Sequence, residues 1–434
     1  MAAKQKDVVD KIMDEADRAQ TYNPLLAALK ENDKKNLFST NVTTIFHKTG
    51  FPLIDYYFGA VMNVHDELGK IIKQEPRIGQ AAGTFNLIIG NTGSAKTTLA
   101  VQIAGNIIRQ YANANAILFD CEQRTDISRC ENITKLPSLY FQNDKFMLKS
   151  GTVSLETIQE MIVKTYVTKM KLKKEIMVNS GFKDEFGKDI MIFPPTIAII
   201  DSVTTVLNET FSPDSAKEAS DAEKMRGNTE GARDAKTLKG FFKDILPLCK
   251  EANIIIYGIN HINTNMSMNA FIPVAKQQNF LKQDESIPGG KTMLYYPHNI
   301  IKLTAKPSDD FSEDSDGFKG HMVMVEPIKS SSNQSGNNSK GLSFEMVFSQ
   351  KDGFDSLRSM IMYGKEYGLI EGNKSRMKFK DDDSFTFSFK NIYKEKNEKP
   401  IWESLKKFVF PNLDTHLPYL EPGEREFDDR SLDY

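Results

Sequence analysis

Nine consecutive residues, Gly90-Asn91-Thr92-Gly93-Ser94-Ala95-Lys96-Thr97-Thr98, constrain this chain more than any other stretch. They follow an apolar run at 85–89 and lead into 99–108, where apolar residues recur at helical spacing. Strand, glycine-containing loop, Lys-Thr and helix is the order that a phosphate-binding P-loop needs. In such a turn the backbone N–H groups of the loop and the helix N-terminus point at phosphate oxygens. Lys96 then reaches the β- and γ-phosphates, and the Thr97 hydroxyl ligates Mg²⁺. One position departs from G-x-x-x-x-G-K-[ST]: Ala95 stands where the second glycine is expected. Alanine is the smallest residue carrying a Cβ, so it is the mildest departure available there.

The surrounding chain extends this local pattern into an architecture. Short, mostly β-branched apolar runs occur at 85–89, 116–119, 197–200, 254–259, 299–303 and 322–325, with helical patterns at 98–111, 155–170 and 232–251 between several of them. This alternation predicts an α/β fold with a mainly parallel sheet and helices on both faces. A length of 434 residues, 40% of them hydrophobic, allows two or three domains at roughly 150 residues each. We expect an N-terminal oligomerisation segment over 1–48, with short charged helices at 6–19 and 24–31 that dock elsewhere. A core follows over 49–350, carrying an insertion or hairpin at 63–80. A small C-terminal domain over 351–434 ends in a tail, 421–434, with six acidic and two basic residues.

Composition narrows the functional classes. With 56 basic and 58 acidic residues the net charge is −2, so any nucleic-acid surface must be a local patch. The three cysteines, Cys121, Cys130 and Cys249, lack metal-ligand spacing, and an odd count argues against a disulfide framework. The reading is a cytoplasmic protein. The first 20 residues contain no apolar signal region, and no apolar run approaches ~18 residues, so no membrane partner is expected.

Further chemistry collects at strand ends. Thr196-Ile-Ala-Ile-Ile-Asp201-Ser202 is an apolar strand ending in Asp, the form of a Walker B element that holds Mg²⁺ opposite Thr97. Ala116-Ile-Leu-Phe-Asp120-Cys121-Glu122 ends in two carboxylates, one of which can orient or deprotonate an attacking water. Period-2 alternation puts both on one side and leaves the choice between Asp120 and Glu122 open. Asn260-His261 ends the 254–259 run, where a polar group can sense a γ-phosphate and pass its presence to the next loop. Two long polar segments, 208–231 and 262–290, follow strand C-termini, where ligands bind in open α/β sheets. The second carries Asn265, Phe271, Lys276, Phe280 and Lys282, a mixture suited to single-stranded nucleic acid. The first is acidic in places, offset by Lys217, Lys224 and Arg226.

In this order, P-loop, strand-Glu, Walker B, strand-Asn-His and Pro288-Gly-Gly, the chain resembles the RecA-family recombinases, and in particular the UvsX-type strand-exchange proteins of tailed phages. The resemblance runs from about Thr49 to Leu369. It implies a RecA-like P-loop NTPase core, a small N-terminal helical segment and a small C-terminal domain. It selects Glu122 over Asp120 as the catalytic carboxylate, with Lys96 and His261 beside it and Thr97 and Asp201 at the metal. It places Asp126 and Arg129 against the adenine of ATP. Lys329, or Lys340, would reach the γ-phosphate of a neighbouring protomer. Arg226 in the first loop and Asn265, Phe271, Lys276, Phe280 and Lys282 in the second would contact DNA.

The resemblance therefore implies an ATP- and Mg²⁺-dependent DNA recombinase and DNA-dependent ATPase. It would form a homo-oligomeric helical filament on single-stranded DNA, pair it with homologous duplex DNA and meet single-strand-binding or mediator proteins in the host cytoplasm. A hexameric helicase or motor and a nucleotide-binding filament scaffold are the alternatives.

Overall fold

In the central sheet, neighbouring residues of one strand belong to opposite cores. Ile88 packs with the helix that begins at Lys96, whereas Leu87 and Ile89 pack with helices on the other side. The same division separates Leu118 from Ile117 and Phe119, and Ile199 from Ala198 and Ile200. A sheet covered on both faces needs apolar side chains in both directions, which is why its strands read as continuous apolar runs.

The computed structural model describes residues 45–65, 71–151, 153–183, 188–209, 230–264, 280–281, 285–306, 319–332, 343–417 and 419. All belong to one compact unit that begins at Ile45. The expected helices at 6–19 and 24–31 and the acidic tail lie outside the described residues.

The nine strands of the sheet are β1 (Phe85–Gly90), β2 (Asn115–Asp120), β3 (Phe146–Ser150), β4 (Thr196–Asp201), β5 (Ile254–His261), β6 (Asn299–Ala305), β7 (Gly320–Ser330), β8 (Phe344–Ser349) and β9 (Gly353–Asp355). Their spatial order is β9-β8-β7-β6-β1-β5-β4-β2-β3. From β6 through β3 every neighbouring pair is parallel, and the pairs among β6 to β9 are antiparallel. Helices α1 (Lys96–Arg109) and α2 (Ile127–Thr134) cover one face; α3 (Leu155–Lys171) and α5 (Glu230–Ala252) cover the other. The short helix α4 (Val203–Glu209) leaves the end of β4.

Two expected elements were longer or differently made than their sequence suggested. The run at 322–325 is the apolar centre of β7, whose ends alternate polar and apolar residues because it pairs antiparallel on both sides. Pro327 fits there at a register shift opposite Ile300 and Ile301. The insertion or hairpin expected at 63–80 is an antiparallel hairpin that begins three residues earlier, pairing Ala60–His65 with Ile71–Arg77.

Across the expected boundary at 350/351 the packing is continuous. β9 pairs with β8, and Phe354, Leu357 of α6 (Ser356–Glu366) and Leu405 of α7 (Glu395–Phe408) share the α1-side core. Between α6 and α7 lies a small three-stranded antiparallel sheet, Ile370–Asn373, Arg376–Phe379 and Asp382–Phe387. Among the described residues, no helix is long and apolar enough to cross a membrane.

Candidate active site

Parallel register fixes where the strand ends meet. Asp201 of β4 is level with Asp120 of β2 and Ile259 of β5, and His261 is level with Gly90 of β1. The polar ends of four strands therefore open at one edge of the sheet, where a cleft of about 300 Å³ lies beside the start of α1.

The loop backbone explains its own residue types. A Cβ on Gly90 would stand 2.4 Å from the Leu303 carbonyl oxygen and 2.6 Å from Ser94 Oγ, so only glycine fits between β1 and β6. Gly93 has open space around it but takes φ +81°. Ala95 adopts φ 64°, ψ 26°, the left-handed conformation that the motif normally assigns to glycine. The departure noted in the sequence is thus a strained alanine in an unchanged loop.

Lys96 is buried and curls back over the loop, its Nζ donating to the Gly90 and Asn91 carbonyls at 2.9 and 2.8 Å. Burial lowers its pKa to about 8, against the opposing pull of Asp201 and Glu122. Ser94 Oγ donates to the Asn91 carbonyl at 2.8 Å and closes the turn. Thr92, Gly93, Thr97 and Thr98 line the cleft.

Thr97 Oγ1 donates to Asp201 Oδ2 at 2.5 Å. Burial raises the Asp201 carboxyl to about 6; the Thr97 hydrogen bond and Lys96 oppose this, and Glu122 and Asp120 add to it. A buried carboxylate touching a hydroxyl is a hard oxygen donor set that suits Mg²⁺.

The two carboxylates left open by periodicity separate at the strand end. β2 stops at Asp120, and Cys121 and Glu122 form a turn that the Gln123 N–H closes on the Asp120 carbonyl at 3.4 Å, so alternation no longer relates the two side chains. Asp120 is fully buried, and its Oδ2 accepts the Thr125 N–H at 2.7 Å. Glu122 faces the cleft, with Oε1 3.0 Å from His261 Nε2 and Oε2 3.1 Å from an Arg124 guanidinium nitrogen. Burial alone would raise the Glu122 carboxyl. Hydrogen bonds from His261 and Ser202, with the charges of His261 and Arg124, hold it below its ordinary value.

Asn260 is buried immediately behind His261. Its Oδ1 accepts the Thr204 hydroxyl at 2.5 Å and the His261 N–H at 3.0 Å, while its Nδ2 donates to the Pro288 carbonyl at 3.0 Å. One amide thereby joins the strand carrying His261 to α4, which leads into one long polar segment, and to Pro288 near the end of the other.

The remaining expected residues divide. Arg129 lines the cleft and crosses it, donating to Thr98 Oγ1 and the Gln350 carbonyl, each at 3.2 Å. Asp126 caps α2 by accepting the Arg129 N–H at 2.7 Å, so its carboxylate serves the helix. Lys329 sits on β7 and donates to the Leu294 and Tyr295 carbonyls at 3.2 and 3.0 Å, outside the lining of its own chain's cleft. Phe280, expected at DNA, leans on the α3–α5 core because an apolar ring beside that surface loses more water by packing than by standing free. Arg226, Asn265, Phe271, Lys276, Lys282 and Lys340 lie outside the described residues.

Sequence reading missed Arg124, Thr125, Phe348 and Gln350, which also line the cleft. Phe348 and Gln350 come from the end of β8, and nothing local in their sequence marks them. Arg124, two residues beyond Glu122, was findable as a cation beside a candidate carboxylate. Neither a protein-family model nor a curated relative matches the sequence.

Proposed function

We propose that this chain is a DNA-dependent ATPase with a RecA-like P-loop core, which assembles as a filament on single-stranded DNA and catalyses homologous pairing and strand exchange. The observation that carries the reading is the convergence, in one cleft, of Lys96, the Thr97–Asp201 pair and the Glu122–His261 pair, with Asn260 tied to the second long polar segment at Pro288 and to α4 ahead of the first at Thr204. The order of these residues along the chain is that of RecA-family recombinases, and strand exchange rests on that resemblance.

In this reading the loop amides and Lys96 bind the β- and γ-phosphates of ATP. Thr97 and Asp201 would hold Mg²⁺, whose charge would offset that of the phosphates. Glu122, kept ionised by His261 and Arg124, orients a water for in-line attack and accepts its proton. Arg129 braces the wall between Thr98 and Gln350. His261 and Asn260 register the γ-phosphate and transmit its loss to the segments at 208–231 and 262–290, which contact DNA. Homologous duplex DNA, a neighbouring protomer and single-strand-binding or mediator proteins are the proposed partners, in the host cytoplasm.

The test is ATP turnover with and without single-stranded DNA, paired with negative-stain imaging of the same mixtures. DNA-stimulated turnover and helical filaments support the reading. Turnover indifferent to DNA refutes the recombinase assignment, and closed rings that separate strands assign a helicase instead. Filaments that bind nucleotide without hydrolysing it assign a scaffold.

A further inference from the structure

A larger cavity, about 630 Å³, lies one helical turn away from the cleft, below the wall made by α1, α2 and the turn after β8. Gln102 and Ile133 sit one turn further along α1 and α2 than the cleft residues Thr98 and Arg129, and both line this second cavity. Its floor is locked: Gln102 donates to the Ile133 and Phe354 carbonyls at 3.0 and 3.1 Å and accepts the Phe354 N–H at 2.8 Å. One wall is equally fixed, with the Arg358 guanidinium stacked 5.1 Å from the Tyr393 ring and Tyr393 Oη donating to Asp355 at 2.5 Å. The cavity is therefore formed before any ligand arrives.

Its charge is unbalanced. Lys135 pairs with Asp352 at 2.7 Å and Arg358 with Asp355 at 2.7 Å, which engages both lining carboxylates. Three further cations, Lys351, Lys390 and Lys394, converge from separate segments: the turn after β8, the 3-10 turn Phe389–Asn391 and the N-cap of α7. Among the described residues, none of these three has an ion-pair partner. The first turn of α6 also opens onto the cavity through Ser356, adding the positive end of an eleven-residue helix. Like charges gathered around a concavity repel unless an anion lies between them.

We propose that this cavity is a second anion site, taking clustered phosphate groups: a free polyphosphate or the phosphate chain of a nucleoside polyphosphate. Phosphate oxygens face Lys351, Lys390 and Lys394, and the volume suits a ligand of nucleotide size. This site stands whether or not the cleft at Lys96 hydrolyses ATP.

The experiment is calorimetric titration of the full-length Lys96→Ala protein, whose P-loop is disabled, with sodium tripolyphosphate and separately with ATP. Retained binding is expected, weakened roughly tenfold or more when Lys390→Glu and Lys394→Glu are added. Both lysines are exposed, and an unchanged melting temperature certifies the fold. ATP binding much tighter than tripolyphosphate assigns the site to a nucleotide; equal binding assigns it to free polyphosphate. The proposal is overturned if neither ligand binds the Lys96→Ala protein, or if charge reversal leaves binding unaltered. It is equally overturned if charge reversal weakens only binding of a single-stranded oligonucleotide. In the otherwise native protein, loss of the second equivalent with the P-loop equivalent intact separates this site from the ATPase reading.

Discussion

Glu122 and His261 meet at 3.0 Å although 139 positions separate them in the chain. One leaves the end of β2, the other ends β5, and β4 lies between those strands. The contact spans the opening of the cleft and joins the proposed catalytic carboxylate to the strand that leads into the second polar segment.

Replacing Glu122 by Gln keeps the shape and removes the base. ATP turnover should fall by roughly 10²–10⁴-fold while nucleotide binding survives. Comparing steady-state turnover with nucleotide affinity checks this, and unchanged hydrolysis would remove Glu122 from the mechanism.

His261→Ala should move the acidic limb of the pH–rate profile to higher pH. Burial raises the Glu122 carboxyl, and His261 is among the groups holding it down. Without His261 the base takes up its proton at a higher pH, so activity is lost earlier on acidification. A limb that stays in place while turnover drops would limit His261 to orientation.

Ala95→Gly should stabilise the protein. An L-residue in the left-handed region costs roughly 1–2 kcal/mol, partly offset by the greater freedom of glycine in the unfolded chain. The net gain is on the order of 0.5–1 kcal/mol, read as a higher denaturant midpoint at constant slope. A lower midpoint would show that contacts of the Ala95 methyl with the α1-side core outweigh its strain.

Asp55 supplies a pH signature remote from the cleft. Fully buried, it accepts both the N–H and the hydroxyl of Thr49, at 2.8 and 2.6 Å, yet burial raises its carboxyl to about 6 from 3.8. The folded state then binds the proton more tightly than the unfolded state, so this group's stabilising contribution is full below about 4. It is lost as pH rises from about 4 to about 6. Asp55→Asn should flatten that part of the stability–pH curve, measured by thermal melts across the window. A slope unchanged in the variant would assign it to other groups.

Asn260→Ala should uncouple the cleft from α4 and from the second polar segment. The Thr204 hydroxyl and Pro288 carbonyl lose their partner, at a cost of roughly 1–3 kcal/mol. Under the proposed function, DNA stimulation of turnover should shrink by a larger factor than basal turnover. Equal loss of both would reduce Asn260 to a structural tie.

Much of this architecture was legible because burial leaves a mark on composition. A strand covered on both faces, such as Ile197 to Ile200, must be apolar throughout, and Gly90 and Gly93 in the turn after β1 are dictated by backbone geometry. The elements at 85–89, 254–259 and 155–170 could therefore be placed within a few residues. The C-terminal part was less legible, since its short antiparallel strands, such as Asp382–Phe387, mix polar and apolar residues and bury only one face.

By itself, the sequence determined the strand–loop–helix unit, the run of apolar strands and the polar residues at their ends. Tertiary structure alone decided which of those ends meet. Periodicity specifies the face of a residue and carries no information on distance to another strand, so it could not separate Asp120 from Glu122. The turn through Cys121 and Glu122 at the end of β2 did that, and the parallel register then brought His261 to Glu122. The Thr97–Asp201 contact and the wall from Arg129 to Gln350 arise the same way, from strands and helices that burial of their apolar sides forces together.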